Sequence, residues 1–157
     1  MARGCRICEL NNEDMDSVAE TRFFKAHMDR HPETPGHAII TPKRHVVSLF
    51  DLTKGEWADL QAALKKTKRA VGKIDLGRVY QAFIAVPYTR ESRRMCREML
   101  SNPKIGRKPD GYNFGINEGR AAGRMIDHVH FHLIPRYLGD VRVPAGGVRN
   151  VIKNARD

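Results

Sequence analysis

The sequence lacks the long apolar segments that mark membrane and exported proteins. None of its 157 residues belongs to an apolar run long enough to span a bilayer. The first residues also lack the apolar region of a signal peptide. We therefore expect no membrane segment and a cytoplasmic location. Because the sequence has no internal repeat and no dividing linker, we expect one domain over residues 1–157, closed by a tail at 137–157.

Cysteine is scarce, and its odd count of three argues against a disulfide framework. Cys5 and Cys8 form a C-x-x-C pair, whereas Cys96 stands alone. In a reducing compartment such a pair indicates metal binding or redox chemistry before it indicates a structural bridge.

Acidic residues are few relative to basic ones. The chain has 18 Asp and Glu against 28 Lys and Arg, a net charge of +10 with neutral histidines. This balance favours phosphates, nucleotides or nucleic acid as partners, although it also serves plain solubility. Nucleic acid is therefore a possible partner that charge alone does not establish.

Apolar periodicity predicts both helices and strands. Thr53 and Glu56 form a capping box ahead of an amphipathic helix over 54–72. Residues 1–20 are expected to form an irregular arm, and 78–86 are ambiguous between strand and helix. The other expected elements are strands at 22–28, 37–41 and 112–117, a helix at 90–100, and a glycine-containing turn at 118–124.

Residues 127–136 hold three of the seven histidines within five positions. Side chains alternate faces along a strand, so these imidazoles would project together while the apolar residues between them are buried. A purely structural origin is disfavoured, because protonated imidazoles on one face repel each other. They could be ligands of an open catalytic zinc site, or one could be a nucleophile oriented by its neighbours. The histidines are His128, His130 and His132.

The segment before the histidines favours phosphate chemistry over a bare metal site. Asn117 supplies an amide side chain, and Gly123 lies in a flexible turn. Backbone N–H groups in such a turn can cradle a phosphate, and glycine allows a close approach.

Two segments of the chain resemble the histidine triad (HIT) superfamily. Residues 117–136 match its signature, in which three histidines alternate with apolar residues, and residues 35–45 look like its N-terminal half. Together the similar segments cover most of 22–143. The resemblance implies an α+β fold, with an antiparallel sheet of about five strands flanked by helices, and a homodimer. It also implies a nucleotide hydrolase or transferase that cleaves at the α-phosphate.

The resemblance also implies roles for individual residues. His130 corresponds to the nucleophile, which forms a transient nucleotidyl-imidazole, and His132 to a group that contacts the phosphate or the leaving-group oxygen. Asn117 and the backbone around Gly123 would hold non-bridging oxygens. The remaining two matching positions are Asp29, expected at the ribose hydroxyls, and His37, expected to support the triad.

A structural zinc ion follows from the same resemblance. Many bacterial relatives begin with C-x-x-C and complete the site with two histidines. The matching residues here are Cys5, Cys8, His45 and His128. Two cysteines and two histidines make a closed tetrahedral zinc site with no open position for catalysis.

The chain departs from the family pattern just upstream of the triad. Arg124 and Met125 stand where relatives commonly have Gln and Ser or Thr. Arg124 would either offer a charged donor to a more anionic substrate or point to solvent. Met125 cannot supply a hydroxyl, although its backbone N–H remains. Residues 78–108 exceed the corresponding part of compact relatives and have no functional interpretation from sequence.

The tail resembles that of the diadenosine-polyphosphate hydrolase branch. Arg136, Arg142 and Arg149 could meet distal phosphates, or could be solvent-exposed. The leading hypothesis is a hydrolase of dinucleoside polyphosphates such as diadenosine tetraphosphate. Alternatives within the family are a nucleoside phosphoramidase, a phosphorylase and a hydrolase of adenylated nucleic-acid ends. An alternative of another class is a nucleotide- or nucleic-acid-binding module with weak catalysis.

Overall fold

The computed structural model describes residues 4–13 and 17–144. Arg149 and the other residues of 145–157, together with 1–3 and 14–16, lie outside the described residues. The helices are α1 (Arg6–Glu13), α2 (Lys54–Val71), α3 (Leu76–Ala85) and α4 (Arg90–Leu100). The strands are β1 (Ser17–Glu20), β2 (Phe24–Met28), β3 (Ala38–Pro42), β4 (Gly111–Gly115) and β5 (Phe131–Arg136). Short 3-10 helices lie at Leu49–Asp51 and Arg120–Ala122.

The strands form one antiparallel sheet in the order β1-β2-β3-β5-β4. Helix α2 packs across β1, β2 and β3, while α3 and α4 pack against each other. This arrangement confirms the α+β fold with a five-stranded antiparallel sheet and flanking helices. No helix in the described parts of the chain is long and apolar enough to cross a membrane.

The capping box of α2 forms as its sequence predicts. The Thr53 hydroxyl accepts from the Glu56 N–H, and the Glu56 carboxylate accepts from the Thr53 N–H, which satisfies helix donors that would otherwise lack partners. One face of α2, including Leu60 and Ala63, is then buried against the sheet with Phe24, Ile40, Val129 and Phe131.

The expectation of an irregular arm over 1–20 was wrong. Residues 6–13 form α1, and 17–20 form an edge strand. The helix is fixed by tertiary contacts that local sequence does not display, since Ile7 is buried and the Asn11 amide donates to the Pro42 carbonyl at 3.1 Å. Asn11 also accepts from His27 Nε2 at 3.0 Å.

The ambiguous segment 78–86 is helical and belongs to α3. Asp75 caps this helix by accepting from the Arg78 N–H. Helices α3 and α4 cover the loop that leads into β3, where the Tyr80 hydroxyl accepts from the Gly36 N–H at 2.8 Å and Arg30 lies over the Phe83 ring. The long segment after α2 therefore holds the loop between Asp29 and His37 in place.

The histidine segment is a regular strand only in its second half. Strand β5 begins at Phe131 and lies between β3 and β4, with which it pairs. Before it, Val129 is fixed through its N–H, which donates to the Val46 carbonyl at 2.8 Å. The expected alternation holds for the apolar set, because Val129, Phe131 and Leu133 are all buried.

Candidate active site and metal centre

The three triad histidines have three different sets of partners. His128 lies against cysteines of the N-terminal segment, His132 lies against His37 and Asp29, and His130 lies between the two groups. No metal-ligand cluster within the described residues contains all three, so the alternative of a three-histidine catalytic zinc site does not fit. The structure therefore separates the three histidines by their surroundings.

Hydrogen bonding fixes the reactive nitrogen of His130. Its Nδ1 lies 2.7 Å from the His128 carbonyl oxygen. A carbonyl only accepts, so Nδ1 carries the proton and a neutral ring presents its lone pair at Nε2. The ring is largely buried, with 8% of the residue exposed. This arrangement gives His130 the tautomer that a nucleophile needs.

A second hydrogen-bond chain fixes His132. The Glu33 N–H donates to His37 Nδ1 at 3.3 Å, so the proton of a neutral His37 lies on Nε2. His37 Nε2 lies 3.0 Å from His132 Nδ1, to which it donates. His132 therefore carries its own proton on Nε2, the nitrogen that remains to meet an anionic oxygen.

Asp29 lies behind this pair rather than in open solvent. Its carboxylate is 3.4 Å from His37 Nε2 and 3.9 Å from His132 Nδ1, and it accepts from the His31 N–H at 2.8 Å. Burial raises the pKa of Asp29, although the His31 hydrogen bond opposes that shift. The structure thus brings Asp29 together with the two histidines, and its expected contact with ribose stays a prediction.

Burial keeps both supporting histidines neutral. It lowers the pKa of His37 to about 4. It also lowers the pKa of His132 to about 4, with further lowering from the neighbouring His37 and His130 and a smaller opposing effect of Asp29. Near neutral pH, His132 is therefore a neutral hydrogen-bond donor at Nε2.

Four side chains converge on a candidate metal centre. Cys5, Cys8, His45 and His128 each offer one ligand atom, and these atoms lie within 4.8 Å of one another. His128 Nε2 donates to the Pro42 carbonyl at 2.9 Å, which leaves the Nδ1 lone pair facing both sulfurs. His45 Nδ1 lies 3.4 Å from Cys8 Sγ. Two thiols and two correctly oriented imidazoles fit a tetrahedral cation such as zinc.

The loop before the triad, the predicted phosphate cradle, turns at a glycine in the left-handed region. Gly123 adopts a φ of 91°, which side-chain-bearing residues rarely take, and the Asn117 amide would lie 3.6 Å from a Cβ placed there. Asn117 and Gly123 are both exposed. The N–H groups of Ala122 and Arg124 donate to the Gly119 carbonyl, and that of Gly123 donates to the Arg120 carbonyl at 2.9 Å. The backbone donors expected to hold phosphate around Gly123 are therefore already paired within the loop.

Arg124 has a position that neither sequence alternative describes. Its side chain is only 14% exposed, and Nη1 donates to the Val47 carbonyl at 2.8 Å and to Glu118 at 3.3 Å. Its Nη2 lies 3.3 Å from Asp127. The guanidinium therefore holds the cradle together instead of pointing to solvent. Met125 is 91% exposed.

Sequence reasoning missed a small cavity beside Asp29. Its volume is about 110 Å³, and it combines α1 residues with Ile39 and with Tyr88, which follows α3. The Arg6 and Arg30 guanidiniums lie 5.2 and 5.1 Å from the Tyr88 ring centroid. Tyr88 is some sixty residues from Asp29 and belongs to no motif, so no pattern in the sequence could have placed it here.

The tail arginines divide between exposed and engaged positions. Arg136 forms a paired contact with Asp140 at 2.7 and 2.8 Å and also donates to Asn113. Arg142 is exposed, and Arg149 lies outside the described residues. Arg136 is therefore already occupied by a carboxylate.

Curated relatives match most of the chain. An uncharacterised HIT-like protein of Methanocaldococcus jannaschii is 29% identical over 94% of this chain and 91% of its own length. Adenosine 5'-monophosphoramidase of Schizosaccharomyces pombe is 28% identical over 84% of this chain and 74% of its own length. The AP-4-A phosphorylase of Mycobacterium tuberculosis is 28% identical over 85% of this chain and 53% of its own length.

Among solved structures, a zinc-bound histidine triad family protein from Mycobacterium smegmatis superimposes with a TM-score of 0.56 and 25% identity, covering 98% of this chain and 96% of that one. The family model of the HIT domain matches residues 11–139. This span includes the whole sheet from β1 to β5, Asn117 and the three histidines. The chain is therefore a member of the HIT domain family.

Proposed function

We propose that this protein is a nucleotide hydrolase that cleaves dinucleoside polyphosphates, such as diadenosine tetraphosphate, at the α-phosphate. The observation that carries the proposal is the hydrogen bond from His130 Nδ1 to the His128 carbonyl at 2.7 Å, which leaves Nε2 unprotonated. The relatives named as an AP-4-A phosphorylase and an adenosine 5'-monophosphoramidase support nucleotide chemistry of this kind.

The first step is a displacement at phosphorus. The Nε2 lone pair of His130 forms a bond to the α-phosphorus, and the bond from phosphorus to the bridging oxygen breaks. The leaving polyphosphate departs as an anion, stabilised by a hydrogen bond from His132 Nε2–H, which faces it because His37 occupies Nδ1. The product is a nucleotidyl-histidine.

The second step discharges the intermediate. Water attacks the α-phosphorus, the bond to Nε2 breaks, and its electron pair returns to His130 while the proton of the water passes to solvent. The nucleoside monophosphate is then released. Division of one difficult displacement into two easier ones is the advantage of a covalent intermediate.

Substrate contacts surround this centre. The Asn117 amide holds a non-bridging oxygen in the cradle. The Gly123 N–H already donates to the Arg120 carbonyl, so this glycine contributes close approach and not a hydrogen-bond donor. The Asp29 carboxylate accepts from ribose hydroxyls, and the base contacts Ile39 and Tyr88 beside it; the cavity of about 110 Å³ between them holds only part of a nucleoside.

Zinc is the proposed ion at the metal centre, held by Cys5, Cys8, His45 and His128. Bound there, it fixes the segment that carries His130 and leaves no open coordination position. Serine at both cysteines should abolish stoichiometric zinc in the purified protein, whereas serine at Cys96, a buried residue of α4, should not change it. A double variant that retained full zinc content would contradict this assignment.

The catalytic proposal is tested with three substrates and one variant. Wild-type protein and His130→Ala are incubated with diadenosine tetraphosphate, an adenosine phosphoramidate and adenylated DNA, and products are separated by chromatography. The expected result is fastest turnover of diadenosine tetraphosphate, and loss of at least about a thousandfold in His130→Ala. Rapid acid-free quenching should also reveal a nucleotidyl adduct on the wild type alone.

Each outcome has a distinct meaning. Preference for the phosphoramidate, or for adenylated DNA, would overturn the substrate assignment while keeping the nucleophile. No His130-dependent turnover of any of the three would overturn the enzyme proposal and favour a binding module.

A further inference from the structure

A basic groove lies between the end of α2 and the start of β4, apart from the histidines. The cavity has a volume of about 680 Å³, and none of its lining residues is acidic. Six cationic side chains surround it: Lys65, Lys68, Arg69 and Lys73 from α2 and its end, and Arg107 and Lys108 from the loop before β4.

The charge of the groove is not neutralised by nearby acids. No ion pair joins any of these six cations to an acidic side chain among the described residues. Asp110, which follows the loop, instead accepts from the Leu138 N–H at 2.8 Å. Clustered cations with no acidic partner create a positive potential that attracts a multivalent anion.

The floor of the groove is apolar and rigid. The Tyr137 hydroxyl donates to the Pro35 carbonyl at 3.1 Å, which fixes one side of the floor. Gly36 adopts a φ of 90°, and a Cβ there would lie 3.0 Å from Val71 and 3.1 Å from Pro135. The floor therefore depends on glycine at this position, and an inorganic anion alone would leave its apolar surface unused.

An aromatic ring stands at the edge of this floor. Tyr112 is half-buried, and the Lys68 ammonium lies 4.8 Å from its ring centroid. The ammonium covers one face of the ring, and the remaining ring surface offers an aromatic contact at the edge of the groove.

The groove and the histidine site lie on opposite faces of the sheet. Pro135 shares a face of β5 with Leu133 and Phe131, the residues buried toward the helices, whereas His132 lies on the other face. A molecule in the groove therefore cannot place a phosphate at His130.

We propose that the basic groove is a second binding site, for a polyphosphorylated nucleotide. The base lies on the apolar floor against Tyr112, and the phosphates meet the lysines and arginines of the rim. The volume falls within the range of roughly 300–1,000 Å³ typical of small-molecule sites. The assignment stands independently of the catalytic proposal, because it uses no residue of the histidine site.

The test maps binding residue by residue. Amide NMR spectra of His130→Ala protein, which should not consume nucleotide, are recorded with ATP, AMP, inorganic tripolyphosphate and an oligothymidylate. A groove variant carries Lys65→Gln, Lys68→Gln and Arg69→Gln. A control variant removes the same charge elsewhere through Lys54→Gln, Arg93→Gln and Arg97→Gln, all exposed residues outside the groove.

ATP should shift the amide signals of Gly72, Gly106 and Tyr112, separately from any shift at Asn117 and Gly123. The apparent affinity at the groove should fall by at least about tenfold in the groove variant and by less than about twofold in the control. AMP should bind more weakly than ATP because it lacks the polyphosphate, and tripolyphosphate should bind more weakly because it lacks the base.

Other results would overturn the proposal. If ATP shifts no groove signals, the groove is not a nucleotide site. If ATP binding weakens equally in both triple variants, the binding depends on the net charge of the protein and not on the groove. Tripolyphosphate binding as tightly as ATP would exclude a role for the base. Shifts with oligothymidylate alone would identify a nucleic-acid surface instead.

Discussion

At the scale of single residues, the three histidines are distinguished by their hydrogen-bond partners and not by their alternation. His128 donates to a carbonyl through Nε2, whereas His130 donates through Nδ1, so opposite ring nitrogens keep their lone pairs. The lone pair of His128 faces two thiols, whereas that of His130 lies on the ring nitrogen away from its carbonyl partner. Identical residue types two positions apart thus differ in which nitrogen keeps its lone pair, because the backbone offers its carbonyls at different places.

Arg124 is the residue whose replacement should test the cradle. Arg124→Gln removes the donors that hold Glu118 and the Val47 carbonyl, and it leaves a partly buried carboxylate without its cation. We expect turnover of the nucleotide substrate to fall by about tenfold, since loosening by a fraction of an ångström misplaces the phosphate. The measurement is kcat and KM for both the variant and the wild type.

Arg120→Gln is the matched control, because Arg120 is exposed in the same loop. It should leave kcat within about twofold of wild type. Equal effects of the two substitutions would contradict a positioning role of Arg124. Arg124→Lys should restore little activity, since lysine lacks the planar fork that reaches several acceptors.

The buried histidines should make folding stability depend on pH. The pKa of His37 is lowered to about 4, whereas a histidine in the unfolded chain titrates near ~6.5. Above about pH 6.5, His37 is neutral in both the folded and the unfolded chain, so its titration does not change the free energy of unfolding. Between the two values the unfolded chain binds the proton, so the free energy of unfolding falls as pH decreases, by up to about 1.4 kcal/mol per pH unit.

Urea titrations of wild type and His37→Gln at about pH 7, 6 and 5 measure this dependence. The variant lacks one of the groups that titrate, so its free energy of unfolding should fall less steeply over that range. Parallel slopes for the two proteins would show that His37 is not held neutral by the fold.

At the scale of elements, the first turn of α2 connects helix capping to the metal centre. Glu56 is 3% exposed, and its carboxylate accepts from Thr53 and from two nitrogens of Arg44, the residue before His45. The Arg44 hydrogen bond lowers the pKa of Glu56 to about 2. Glu56→Gln should therefore cost about 1–3 kcal/mol at neutral pH, as measured by urea unfolding.

The sign of the pH dependence provides a second check. The stability supplied by the Glu56 carboxylate is present above about pH 4.5 and is lost as pH falls toward 2, so the gap between wild type and variant should narrow in acid. Glu91→Gln on α4, which breaks an exposed pair 3.8 Å from Arg94, should change stability by less than about 0.5 kcal/mol. A comparable loss in both variants would contradict the buried role of Glu56.

The elements that the sequence predicted correctly carry their own local determinants. The α2 capping box and the alternation around Phe131 are visible within a few residues, and both formed as expected. Helix α1 was missed because Asn11 and Ile7 are fixed by partners on β2 and β3 that only the folded chain supplies. The orientation of Arg124 was missed for the same reason, since Val47 and Glu118 meet it only in the closed loop.

At the scale of the whole molecule, the sheet has two edges that differ in their readiness to pair. Strand β1 has an irregular register between Ser17 and Ala19, and such bulges discourage further pairing. Strand β4 pairs regularly with β5 over its whole length, and its outer edge has no partner strand in the described sheet. Its five residues include no proline or lysine to block an added strand.

We propose that two copies of the protein form a homodimer through antiparallel pairing of their β4 strands. A strand paired with itself about a twofold axis satisfies its outer backbone groups in both copies at once. Phe114 lies on this strand, 42% exposed, with its ring stacked on Phe131 at a centroid distance of 5.5 Å. A second copy would cover the part of the Phe114 ring that remains open.

Light scattering coupled to size-exclusion chromatography tests the dimer. Wild type should have twice the mass of the chain, and Phe114→Asp should shift the mass to that of a monomer, because a buried carboxylate at the pairing edge has no counter-charge. Phe50→Asp is the matched control, since Phe50 is 79% exposed on the 3-10 helix Leu49–Asp51 and should leave the dimer intact. A monomeric wild type, or a dimer that survives Phe114→Asp and dissociates with Phe50→Asp, would exclude β4 as the interface.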